Sequence, residues 1–88
     1  MKDLVGLTKS GFAYSIPVNN LNNYELVEVL GEMEENPLVL PKVLKLLLGK
    51  KQTEKLKNHL REDDGTINTE KITKELQDIF EAQARLKN

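Results

Sequence analysis

Apolar and polar residues alternate in GFAYSIPV (residues 11–18). Phe12, Tyr14 and Ile16 fall on one side, Ala13 and Ser15 on the other. A period of two predicts a strand with one buried face. Leu4, Val5 and Leu7 supply a preceding strand, with TKSG (8–11) as the turn and Gly11 as its positive-φ residue. Pro17 has no N–H to give to a ladder, so it ends the strand or lies at an edge. The expectation is a β-hairpin over residues 1–18.

From residue 22 the period lengthens to that of a helix. In LNNYEL, Asn22 is placed to cap while Glu25 reaches back, with Leu21 and Leu26 in the staple positions. Leu26, Val27, Val29, Leu30 and Met33 form an apolar stripe with glutamates outside it. Asn36-Pro37 ends the helix, because a residue before proline is pushed from helical ψ. This gives a helix over 22–35. The next segment, LVLPKVLKLLLG, is apolar on most sides, with Pro41 in a first turn and Gly49 as its cap, so a helix is expected over 40–48. Such a helix is either central to the core or shared with another chain. A third helix over 51–62 turns Leu56 and Leu60 inward, with Thr53 beside them. A fourth over 69–86 has the cleanest period, Ile72, Leu76, Ile79 and Phe80.

Between the last two helices lies EDDGTIN (62–68), which looks like the middle of a calcium loop. With Gly65 at position 6, Asp64 and Glu62 fall on ligand positions 5 and 3. Position 1 is then Leu60, however, and position 12, where the loop needs a bidentate glutamate, is Lys71. The segment reads as a turn: Arg61 to Asp64 close the third helix, Gly65 is left-handed, and Asn68 caps the fourth helix with Ile67 and Ile72 as its staple.

The 88 residues suffice for a single domain, 1–88, with a modest core. No apolar run approaches membrane-spanning length, and MKDLVGLTKSGF has no signal-peptide core. Cysteine is absent, which excludes disulfides and thiolate metal sites; the chain reads as cytosolic, although the absence is compatible with secretion as well. The net charge of -1 argues against a general nucleic-acid binder. Its distribution is uneven: residues 21–41 carry five glutamates and no base, whereas residues 42–61 carry seven lysines and arginines against one acid. Such blocks either pair with each other, solvate helix faces or dock a partner. No glycine-rich phosphate loop, histidine pair or cysteine nucleophile is present, and the single His59 reads as an ordinary helix residue. No enzyme activity and no cofactor are expected.

The order of these signals carries a resemblance. A strand ending in IP is followed by the acidic helix YELVEVL, then NPLVLPKVLKLLLG, the charged helix KKQTEKLKNHL, the turn EDDGTIN and an amphipathic helix. This resembles the small tail assembly chaperones of long-tailed bacteriophages and prophages, from about Gly11 to Phe80. The resemblance implies a protein that binds the tape measure protein, keeps it soluble and helps recruit tail tube protein. It implies action in the cytoplasm of the bacterial host and absence from the finished virion. Many such proteins also have a form extended by ribosomal frameshifting. Leu86-Lys87-Asn88 is compatible with an A-rich slippery run, and the segment AQARLKN with a fraying end or a tether.

The sequence thus predicts an α+β, mainly α fold, a hairpin followed by about four helices. Leu38, Val39, Leu40, Leu44, Leu47 and Leu48, with Lys42 and Lys45 alongside, are the expected client- or self-contacting positions, since apolar helix surface is what a helical client would need. Two other readings stand beside the chaperone: a small regulatory DNA-binding protein using the basic 42–61 stretch, and a structural phage subunit that stays in the particle.

Overall fold

A computed structural model describes residues 3–86, with side chains through Gln83. Lys87 and Asn88, part of the expected tail, lie outside the described residues. Strands β1 (Asp3–Leu7) and β2 (Ala13–Pro17) form an antiparallel hairpin, followed by helices α1 (Val18–Leu21), α2 (Tyr24–Met33), α3 (Leu40–Leu60) and α4 (Thr69–Leu86). A single 3-10 turn, Pro37–Val39, joins α2 to α3. The fold is α+β, mainly α, as the sequence predicts.

The hairpin turn follows from Gly11. Its φ of 94° is open to glycine at little cost, and it closes a turn in which the Gly11 amide donates to the Thr8 carbonyl at 3.0 Å and the Thr8 amide to the Phe12 carbonyl at 2.9 Å. That pattern is a three-residue loop with a left-handed glycine. It fixes the register, which pairs Leu4 with Ile16, Gly6 with Tyr14 and Leu7 with Ala13. Phe12, Tyr14 and Ile16 point into the core, as their alternation predicts, and Ile16 is fully buried.

Pro17 ends β2 and is followed by a single helical turn that the sequence reading does not contain. The Asn22 amide closes α1 on the Val18 carbonyl at 3.3 Å, so Asn22 ends a helix rather than starting one. Asn23 takes the capping role instead: its backbone is extended and its side chain accepts from the Glu25 amide at 3.0 Å. The expected helix 22–35 is therefore shortened to α2. Leu26 and Val29 of its stripe are buried and Leu30 and Met33 half-buried, but Val27 is 56% exposed.

The helices expected at 40–48 and 51–62 form α3, bent at Gly49, whose φ of 81° and ψ of 168° are non-helical. Thr53 donates its hydroxyl to the Leu44 carbonyl at 3.2 Å, and Asn20 its amide to the Leu47 carbonyl at 2.9 Å. The Asn20 side chain thus satisfies a carbonyl whose helical partner, the Lys51 amide, lies beyond the break, and the Thr53 hydroxyl ties the two halves of the helix together. α3 stops at Leu60, earlier than expected, because Arg61 is extended and bridges Ile67. Gly65 is not the glycine after a helix. It repeats the role of Gly11: its amide donates to the Glu62 carbonyl at 2.9 Å, and the Glu62 amide donates to the Thr66 carbonyl at 2.7 Å. Asn68 caps α4 as its position predicts, accepting from the Lys71 amide at 3.2 Å.

Val43, Leu44, Leu47 and Leu48 from the first half of α3 meet Leu56 and Leu60 from the second. Ile72, Leu76 and Ile79 of α4 and the aromatic face of β2 complete one core.

Candidate interaction surface

The residues expected to bind a partner separate into two groups. Leu44, Leu47 and Leu48 are buried in the core, with Leu47 fully so. They hold α3 against the rest of the chain and are not available as contact positions in the folded protein. Leu38 is 85% exposed, Lys42 and Lys45 are exposed, and Val39 and Leu40 are half-buried against the core. The surface members of the expected set are therefore Leu38, Lys42 and Lys45, with Val39 and Leu40 at the margin. The sequence could not separate the groups, because with Lys42 and Lys45 as its only charged positions the segment is apolar on most sides.

Leu38 is held out by a defined turn. Pro37 opens it, the Asn36 side chain accepts from the Leu38 amide at 3.2 Å, and the Val39 amide donates to the Asn36 carbonyl at 3.2 Å. The fixed turn lowers the entropy that an apolar contact there would cost. On the neighbouring α2, Tyr24 is 71% exposed, one turn from the exposed Val27. Glu25, Glu28, Glu32, Glu34 and Glu35 are also exposed. Among the described residues the ion pairs are Lys9–Asp78, Lys57–Glu54 and Lys71–Glu62, so the acidic block of α2 does not pair with the basic block of α3. Both blocks are solvated.

A second feature was not legible in the sequence. The hairpin turn docks on α3 and α4 through polar groups. Thr8 donates its hydroxyl to the buried Glu75 carboxylate at 2.7 Å and accepts from the Phe12 amide at 3.1 Å; the Lys9 amide donates to Asp78 at 3.1 Å. His59 Nε2 lies 3.1 Å from Ser10 Oγ and 3.2 Å from the Ser10 carbonyl oxygen. A carbonyl only accepts, so that contact requires a protonated Nε2, which then cannot take the proton of Ser10. The His59 ring also packs against Phe12, with centroids 5.8 Å apart. This Ser–His contact closes a turn and does not arm a nucleophile. The open groove beside it is lined by Lys9, His59, Glu62, Lys71, Glu75 and Asp78 among others. Its charges are already partly matched, with Lys71 Nζ 2.9 Å from Glu62.

That Lys71–Glu62 pair also bears on the acidic turn. Asp64, the other residue at a calcium-ligand position, accepts from the Thr66 hydroxyl at 2.7 Å and the Thr66 amide at 3.0 Å. These bonds hold its carboxyl below the ordinary carboxylate range, the hydroxyl contributing most. Among the described residues no group of three or more acidic, histidine or cysteine side chains is placed to hold a metal, and no helix is long and apolar enough to cross a membrane. No protein family, curated protein or solved structure matches the chain.

Proposed function

We propose that the chain is a non-enzymatic tail assembly chaperone that binds the tape measure protein, keeps it soluble and helps recruit tail tube protein around it. It would act in the cytoplasm of a bacterial host and leave before the virion is complete. The observation that carries this reading is Leu38. A leucine 85% exposed on a fixed turn, beside exposed Lys42 and Lys45 and next to the acidic α2, is an apolar contact with a charged rim. Such a surface suits a transient helical client and keeps the free chain soluble. The resemblance of the segment from Gly11 to Phe80 supplies the identity of the client.

The test is co-expression with the tape measure protein encoded beside the gene. The chaperone reading expects the client to become soluble and to co-purify, and Leu38→Asp to abolish both while leaving the circular dichroism spectrum unchanged. A client that stays insoluble with both the short chain and any extended form overturns it. DNA binding that weakens steeply with salt and is lost on replacing Lys42 and Lys45 would replace it with the DNA-binding reading. Recovery of the chain from purified virions would point to a structural subunit.

A further inference from the structure

The two edges of the hairpin are treated differently. Because Thr8 and Phe12 form a hydrogen-bonded pair, alternation along the antiparallel ladder makes Gly6–Tyr14 and Leu4–Ile16 hydrogen-bonded pairs as well. The backbone groups of Asp3, Val5 and Leu7 therefore point away from β2, and those of Ala13, Ser15 and Pro17 point away from β1. On the β2 side this edge is blocked at two positions. The Ser15 amide donates to Gln52 Oε1 at 3.2 Å, and Pro17 has no N–H to offer. On the β1 side, Asp3–Leu7 contains no proline, lysine or bulge, and among the described residues no hydrogen bond outside the hairpin uses the Val5 or Leu7 backbone. Val5 and Leu7 are each 68% exposed. Edge strands in natural proteins are usually blunted by such devices or covered.

We propose that the free edge of β1 is covered by β1 of a second copy, in an antiparallel pairing about a two-fold axis at Gly6. Only an extended backbone satisfies a row of outward N–H and C=O groups, and this strand is complementary to itself in that register. Val5 lies opposite Leu7 of the other copy, and Leu7 opposite its Val5, so the exposed apolar side chains meet on the outer face. Asp3 lies opposite the other copy's Lys9, just beyond the strand end, where a side chain that is 82% exposed and only 3.9 Å-paired to Asp78 is free to reach. A two-fold axis makes both contacts twice. The result is a four-stranded sheet with each copy's helices against its inner face. This inference is independent of the proposed function.

The test uses the full chain, followed by sedimentation velocity over a concentration series. A five-residue edge makes a small interface, so half-dimerisation is expected on the order of 100 µM. Val5→Pro removes only an outward N–H, at the same parity as Pro17, and is expected to give a monomer with an unchanged circular dichroism spectrum. Val5→Lys is the second variant, blunting the edge without touching the backbone, and is expected to weaken association at least about tenfold. The chain has no cysteine, so register is read by mixing Val5→Cys with Leu7→Cys under mild oxidation. Cross-linking in the mixture beyond that of either variant alone supports the pairing. A chain monomeric at millimolar concentration, a folded Val5→Pro that still dimerises, or cross-linking strongest for Val5→Cys alone would overturn it.

Discussion

Tyr14 lies across Gly6 so closely that a methyl group at Gly6 would sit 2.6 Å from the tyrosine Cζ and closer still to its hydroxyl. The two are cross-strand partners, and the tyrosine ring fills the space that any other residue at position 6 would need. The hydroxyl then reaches α4, accepting from Gln83 Nε2 at 3.2 Å. Gly6→Ala is therefore expected to destabilise the fold by about 1–3 kcal/mol through overpacking, measured by urea unfolding. In a Tyr14→Val background the same change is expected to cost much less, because the clash is with the ring. Equal costs in both backgrounds would mean that the strand, not the aromatic contact, rejects a side chain.

Glu75 is 3% exposed, and the Thr8 hydroxyl is its hydrogen-bond donor. Thr8→Val keeps the shape and removes the donor, leaving the carboxylate and the Phe12 amide without partners. A loss of about 1–3 kcal/mol is expected. Thr8→Ser restores the hydroxyl and is expected to recover most of it. If Thr8→Val is neutral in chemical denaturation, the hairpin turn is not anchored through Glu75.

The hairpin and the amphipathic α4 were legible because their periods are clean, and Asn68 because it precedes an apolar run with an acid in the first turn. The one-turn helix α1 was not: Val-Asn-Asn-Leu has poor helix propensity, and tertiary packing of Leu21 with the Asn20–Leu47 bond holds it. The capping role moved by one residue for the same reason. Leu38 could not be told from Leu44 in a segment apolar on most sides; the Asn36 turn, which no periodicity marks, is where Leu38 is left facing water. The Thr8–Glu75 clamp joins residues too far apart in sequence for any local pattern to show it.

Gly31 and Gly49 give opposite expectations for one substitution. Gly31 is an exposed residue within α2 with open space where a Cβ would go. Gly31→Ala is expected to stabilise by about 0.5–1 kcal/mol, from the glycine entropy cost in a helix. Gly49 also has open space, but its φ of 81° and ψ of 168° belong to a region used almost only by glycine. Gly49→Ala is expected to destabilise by about 1–3 kcal/mol. Thermal melts of the two variants check both signs, and a stabilising Gly49→Ala would show that the bend in α3 is not required.

Asp64 titrates below its ordinary value of 3.8 because the Thr66 hydroxyl, and after it the Thr66 amide, favour the ionised carboxylate in the folded turn. The sign follows from linkage: the folded state binds the proton less tightly than the unfolded chain, so the contribution is present above the ordinary value and is lost as pH falls through the lowered one. Since Asp64 is fully exposed, the readout should be local rather than a global melt. Titration of the Asp64 carboxyl by NMR is expected to give a midpoint below 3.8. Thr66→Val removes the hydroxyl and leaves the amide, so the midpoint is expected to rise toward the ordinary value without reaching it. A wild-type midpoint at or above the ordinary value would mean that the Asp64–Thr66 side-chain bonds do not persist in solution, and the turn would then rest on its backbone hydrogen bonds, the Arg61 side chain on the Gly65 carbonyl and the Lys71–Glu62 pair.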